Sequence, residues 1–396
     1  MSRISVMRPW LGVEEAEAVS EVITSGWVAQ GPRTVEFERA FAAAHGVSHG
    51  VATSSCTTAL HLALVVAGVK PGDDVVVPSF SFIATANAVT YVGARPVFAD
   101  VDPVTGNVSA TTLADVLTDQ TTAVIAVDQG GMPVDLAPIR ELCDARSLAL
   151  VEDAACGAGS TYQGSPVGVG ADVTAWSFHP RKLLTTGEGG MLTTDNPEWA
   201  DRARRLREHS MDVSAADRHA SVLPVQEGYP EIGFNYRMTD MQAAMGLVQL
   251  GKLGEMVRRR RALAADYRAV LSTLSGLRCV TDPDYGTSNY QSFWVEVLPE
   301  FPMNREELLE WLAADGISAR RGIMAAHRQG AYADHPGLVQ PLPATERLTD
   351  NTLILPVFHQ MTEDEHRRVT TSLRSAAEAP RTARKVPVPA GGEDRD

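Results

Sequence analysis

Lysine is the residue this chain most lacks. Of 35 basic residues in 396, only four are lysines: Lys70, Lys182, Lys252 and Lys385. Acidic residues number 49, so the formal net charge is −14, which argues against nucleic acid as a partner. The one basic run, Arg258 to Arg261, falls in a helical pattern and reads as a solvated face. Cysteine is scarce too. Cys56, Cys143, Cys156 and Cys279 show neither paired nor metal-type spacing, so no disulfide framework and no metal site are expected, and the thiols should be free in a reducing cytoplasm. No apolar run approaches a membrane span, and the opening MSRISVMRPWLG lacks the apolar core of a signal peptide. No membrane association and a cytoplasmic location are therefore expected. No internal repeat is visible.

What is present suits a globular protein: 44% hydrophobic residues in a chain long enough for two lobes. Helical periodicity covers residues 13–24 and 34–45, closed by Gly26 and Gly46. Apolar strand-like runs then alternate with helical segments up to about residue 194, which predicts a mostly parallel sheet with helices on both faces. A long helical stretch over 251–276 leads away from it. Beyond lie a strand in YQSFWVEVL, a helix in REELLEWLAADG, further strands in ISARRGIM and TLILPVF, and a capping box at Thr362–Glu365 for a last helix. The expected division is a large lobe over 1–250, whose N-terminal helices could pack on the other lobe, and a small α+β lobe over 251–378. The Pro-, Gly- and charge-rich tail 379–396 is expected to be disordered.

Among the four lysines, Lys182 alone follows a buried-strand pattern (173–178) and precedes a Thr/Gly-rich loop, in WSFHPRKLLTTGEGG (176–190). A lysine held where a strand stops can be desolvated, which lowers its pKa and makes the amine a nucleophile toward carbonyls. Taken alone, it reads as a surface lysine; the case for a reactive one depends on what stands upstream. Upstream, ALVEDAACGAG ends a strand on Asp153, where open α/β sheets place ligand contacts. Further upstream, VATSSCTTALHLAL runs from strand through small polar residues into a helix near Thr57, and a helix start favours phosphate. A phosphate cradle, a carboxylate and a lysine, each at a strand end, are what pyridoxal phosphate (PLP) needs.

The strings SGWVAQGP (25–32), TSSCTTALHLAL (53–64), PGDDVVVPSFSFIATANAV (71–89), VEDAACGAGSTYQG (151–164), SFHPRKLLTTGEGG (177–190) and GFNYRMTDMQAA (233–244) resemble those of the DegT/DnrJ/StrS family of PLP-dependent sugar aminotransferases. The resemblance spans most of residues 1–250 and continues more weakly to about 375. It implies the PLP-dependent transferase fold type I, aspartate aminotransferase-like. It further implies a Schiff base between PLP and Lys182, with pyridoxamine phosphate in the cycle, and Asp153 against the pyridine nitrogen. Ser55, Cys56, Thr57 and Ser177 would sit at the phosphate. Phe82 would stack on the ring, with Ala155 beneath it and Cys156 near the phenolic oxygen. Asn235 would reach the phosphate of the neighbouring subunit's cofactor, giving a homodimer with shared sites. Arg237, Arg320, Arg321 and His327 are candidates for the substrate side. His179 and Glu188 are expected to be structural.

The resemblance implies transfer of an amino group from glutamate or glutamine to a keto-sugar, nucleotide-linked at the 3- or 4-keto level, in amino-sugar or antibiotic biosynthesis. A keto-cyclitol acceptor is the alternative. Dehydratases of the family carry histidine where Lys182 stands, and a non-catalytic homologue would not need Asp153, Ser177, Lys182 and Asn235 together. Three departures stand out: Cys56 where the family commonly has Gly, Cys156 where it often has Gln, and DQGGMPVD (128–135) in place of His-Leu-Tyr-Gly.

Overall fold

The computed structural model describes residues 3–213 and 226–380. Apart from residues 379 and 380, the expected disordered tail lies outside the described residues. Two helices come first, α1 (Val13–Ser25) and α2 (Pro32–Ala44). Then come β1 (His49–Thr53), α3 (Cys56–Val66), β2 (Asp74–Pro78), α4 (Ala84–Tyr91), β3 (Arg95–Ala99), α5 (Ala110–Ala114), β4 (Thr121–Val127), α6 (Leu136–Arg146) and β5 (Ala149–Asp153). A hairpin of β6 (Thr161–Tyr162) and β7 (Ser165–Pro166) precedes β8 (Val173–Ser177), β9 (Gly190–Thr194) and α7 (Pro197–Leu206).

Seven of these strands form one sheet in the order β1-β9-β8-β5-β4-β2-β3. Only β9 runs against its neighbours; the β2–β3, β2–β4, β4–β5 and β5–β8 pairs are parallel. The Val-rich strands are buried along their length, as expected of a parallel sheet covered on both faces. One apolar core lies between the sheet and α3, α4 and α7. A second joins the other face to the C-terminal part of the chain. The parallel arrangement brings Thr53, Asp153 and Ser177 to the carboxyl edge of the sheet.

The long helix starts earlier than its periodicity suggested. α8 runs Asp240–Leu271, because Thr239 caps it and accepts from the Gln242 amide. The lobe boundary expected at residue 250 thus falls inside one continuous helix. The Arg258–Arg261 run is not simply a solvated face either. Arg260 is buried and donates to the Tyr290 and Gln291 carbonyls at 3.0 and 3.2 Å, and Arg261 pairs with Asp282 at 2.8 Å. β10 (Leu277–Cys279), β11 (Gly286–Thr287) and β12 (Phe293–Val297) follow. After them come α9 (Arg305–Ala314), β13 (Arg320–Arg321), α10 (Pro343–Asn351), β14 (Thr352–Leu355) and α11 (Glu363–Glu378).

A four-stranded antiparallel sheet, β10-β12-β14-β13, organises this second region, and β11 joins the β6–β7 hairpin. The predicted capping box is present, with Thr362 accepting from the Glu365 amide. ISARRGIM supplies only the two residues of β13, since that strand pairs β14 on one side only. The N-terminal segment crosses over: Ile4 bonds Gly316 and Ser318 at 2.9 Å each, so the chain start joins the C-terminal sheet region. Both α1 and α2 pack on α8. Among the described residues, no helix is long and apolar enough to cross a membrane.

Candidate active site

A cavity of about 500 Å³ opens at the carboxyl edge of the large sheet. Its floor is made where three strands stop. β1 ends at Thr53, and the turn 54–55 feeds α3, whose N-cap Ser55 accepts from the Thr58 amide at 3.2 Å. The first-turn amides of Cys56 and Thr57 have no intrahelical acceptor, and both residues line the cavity. β9 lies tight against this turn. A Cβ on Gly190 would stand 2.6 Å from the Cys56 nitrogen, so only glycine permits that approach.

β5 ends on Asp153, which is 4% exposed and lines the cavity. One carboxylate oxygen accepts from the Thr85 hydroxyl at 2.9 Å, the other from the Ala155 amide at 3.1 Å, and the Cys56 thiol lies 3.9 Å away. Burial pushes the Asp153 pKa up, partly offset by those donors and by Lys182. β8 ends on Ser177, whose hydroxyl oxygen accepts from the His179 amide at 3.4 Å.

The turn after β8, fixed by a 2.8 Å bond from the Lys182 amide to the His179 carbonyl, carries Lys182 into the cavity. Its Nζ is 3.1 Å from the Cys156 sulfur. The desolvation expected from the sequence is real, and it acts to lower the lysine pKa. The net shift is nevertheless upward, because Cys156, Cys56 and Asp153 favour the ammonium form more strongly. Burial and the Asp153 charge push the Cys56 thiol well up.

The structure brings together Ser55, Cys56, Thr57, Phe82, Asp153, Cys156, Ser177 and Lys182. Phe82, 55% exposed, presents its ring from the β2–α4 loop. Ala155 is also on the wall, and so are His179 and Glu188, whose side chains lie 3.8 Å apart. From the C-terminal sheet, Arg320 and Arg321 reach the same cavity, with Arg321 held at 2.7 Å by Glu306.

Two expected substrate residues are not brought there. His327 is buried between Ser79 (2.6 Å) and Glu346 (3.3 Å), where it ties the 79–82 loop to the 325–328 turn. Its polar atoms are engaged inside the protein. Arg237 is half-buried outside the cavity wall. Asn235 is exposed, bridges Glu208, and lies outside the cavity. Sequence reasoning missed Thr85, Gln291 and Trp294. Thr85 lies in the first turn of α4, and its amide donates to the Phe82 carbonyl at 3.2 Å. Gln291 and Trp294 lie in a core-like strand region and gave no sequence signal.

A family model described as the DegT/DnrJ/EryC1/StrS aminotransferase family matches residues 9–374. The chain belongs to this family. It is an aminotransferase of fold type I. It is 37% identical over 386 residues to a dTDP-4-dehydro-2,3,6-trideoxy-D-glucose 4-aminotransferase of Saccharopolyspora spinosa, covering 95% of this chain and 97% of that one. It is 37% identical over 377 residues to a GDP-perosamine synthase of Caulobacter vibrioides, covering 94% and 98%. Among solved structures, the aminotransferase TlmJ from Streptoalloteichus hindustanus is 39% identical with a TM-score of 0.87, over 94% of this chain and 98% of that one. A sugar aminotransferase of Streptococcus pneumoniae in its pyridoxamine phosphate form is 25% identical with a TM-score of 0.89, over 95% and 99%.

Proposed function

We propose that this aminotransferase uses PLP, held covalently by Lys182, to move an amino group from glutamate or glutamine to a nucleotide-linked keto-sugar. One observation carries the reading: an amine, a buried carboxylate and an unsatisfied helix N-terminus converge on one cavity. The residues fit the cofactor. The Cys56 and Thr57 amides with the Thr57 and Ser177 hydroxyls suit a phosphate, and Asp153 suits a protonated ring nitrogen. Phe82 and Ala155, both on the cavity wall, would flank the planar ring, and Cys156, beside Lys182, would meet the ring oxygen.

When bound, PLP supplies an electron sink for the carbon that gains or loses the amino group. The protein supplies the rest. Lys182 Nζ, once free, holds and moves the proton beside that carbon, a function worth about 10²–10⁴-fold in rate. Asp153, kept dry by burial and oriented by Thr85 and the Ala155 amide, holds a proton on the ring nitrogen by charge. Arg320 and Arg321 at the mouth suit a diphosphate or the donor's carboxylate. The exposed Asn235 is read as a contact to the cofactor phosphate of a second subunit, which makes the site a shared one in a homodimer. The two named relatives act on dTDP- and GDP-linked sugars, which supports a nucleotide-linked acceptor without fixing the base.

Borohydride treatment of the loaded enzyme, followed by peptide mass mapping, tests the cofactor assignment: the label should sit on Lys182. Acceptor screening with nucleotide 4-keto-sugars against free inososes tests the substrate class. Turnover only with inososes would replace the keto-sugar reading by the keto-cyclitol one.

A further inference from the structure

Three carboxyl side chains lie buried together under the cavity: Asp128 is 0% exposed, Glu152 2% and Asp153 4%. Strand pairing puts them there. β4 and β5 run side by side, with Ala126 beside Glu152 and Val127 beside Asp153. Side chains alternate faces along a strand. Asp153 therefore points to the cavity, while Glu152 shares the opposite face with Asp128, two residues on from Ala126. There the two carboxyls meet in hydrogen-bond contact.

Their other partners are few. One Asp128 oxygen accepts from the Val134 amide at 2.9 Å, and its Oδ2 has no other hydrogen-bond partner among the described residues. Glu152 accepts from the Thr174 hydroxyl at 3.2 Å and from the Gly168 amide. The titratable groups that face the pair are Asp153 on β5, which opposes further negative charge on both, Cys156 on the turn that follows, which does so at Asp128, and Tyr285, whose phenol burial and the Asp128 charge keep protonated. Among the described residues, no arginine, lysine or histidine forms an ion pair with either one. The Lys182 charge acts on Asp153.

We propose that Asp128 and Glu152 share one proton, forming a carboxyl–carboxylate pair with a single negative charge that leaves Asp153 free to ionise. Two carboxylates in contact in a dry site cannot both ionise. With one protonated, its O–H donates to the other and gives the Asp128 oxygen its missing partner. Burial raises both groups, and they titrate as a pair rather than singly. The pair touches neither cofactor nor substrate and acts through Asp153. Its functional consequence rests on the reading that Asp153 faces the cofactor's ring nitrogen, whereas the shared proton itself does not.

Infrared spectroscopy of the cofactor-free and loaded enzyme at neutral pH tests this. The wild type should show the carbonyl band of a protonated carboxylic acid, shifted in heavy water. Asp128→Asn and Glu152→Gln should each lose it, since an amide N–H replaces the shared proton without titrating. No band in the wild type, or a band surviving in either variant, overturns the proposal. Thermal unfolding of the cofactor-free protein gives a second readout. With both pKa values raised on folding, the native state binds more protons than the unfolded chain above the ordinary carboxylate range. Stability should therefore fall as pH rises from that range toward neutrality, and Asp128→Asn should flatten the fall. An unchanged slope contradicts the pair. Asp153→Asn separates the two readings: it should keep the infrared band and lose PLP affinity. Unchanged affinity would sink only the assignment of Asp153 to the ring nitrogen.

Discussion

At Lys182 burial alone would lower the pKa, but the hydrogen bond to Cys156 and the Asp153 charge turn the net shift upward. Cys156, 3.1 Å from the nitrogen, is the nearest of these groups. Lys182→Ala should lose the borohydride-stable label and fall at least about 10²–10⁴-fold in turnover, the usual worth of a positioned acid–base group. Retained labelling would place the attachment elsewhere. Cys156→Gln should shift the pH at which the bound cofactor's absorbance changes, because an amide is a far stronger hydrogen-bond donor than a thiol. An unmoved titration would show that Cys156 does not touch the cofactor's electronics. Lys182 and Asp153 were legible as residues because each ends a strand in a motif. Thr85 was not, because nothing in a helical Thr shows that its hydroxyl meets a carboxylate 68 positions later.

At the scale of elements, the fit of β9 against the start of α3 decides the cradle. Gly190→Ala would drive a methyl into the Ser55–Cys56 backbone. Overpacking of this kind costs about 1–3 kcal/mol, so PLP affinity should fall roughly tenfold or more, read by equilibrium titration. Unchanged affinity would mean that the turn does not hold the phosphate. The α2–β8 packing carries a pH dependence of its own. His45 stacks on Phe41 at 4.2 Å and lies tilted against Trp176 at 4.4 Å, and burial depresses its pKa to about 4 from an ordinary value of 6.5. A depressed histidine contributes stability above its unfolded pKa, and that stability is lost as pH falls through the folded one. Acidification from about 6.5 to about 4 should cost on the order of 3 kcal/mol at this residue, and His45→Gln should remove that part of the acid sensitivity. Equal melting curves for the two proteins across this range would refute it.

At the scale of the whole molecule, the β-α alternation made the large sheet readable from sequence, since each buried Val-rich run announces a strand. The second region was less readable. β11 and β13 are two residues each, and pairings between residues far apart in sequence leave no local pattern. The same limit applies to the site. His327 and Arg237 carry suitable chemistry in suitable strings, but tertiary packing turns His327 toward Ser79 and keeps Arg237 off the cavity wall. Asn235 is exposed on the single protomer, as a residue serving a second subunit would be. Hybrid dimers of Lys182→Ala and Asn235→Ala subunits should recover activity that neither homodimer shows, because one of their two sites is intact. No recovery in mixed preparations would place Asn235 outside a shared site.

The most direct test of the account is the absorbance spectrum of PLP-loaded enzyme mixed with L-glutamate, then with L-glutamine, with no acceptor present. Conversion to a pyridoxamine-type spectrum with at least one donor, abolished in Lys182→Ala, is the predicted result. A cofactor that is demonstrably bound but converted by neither donor would contradict it.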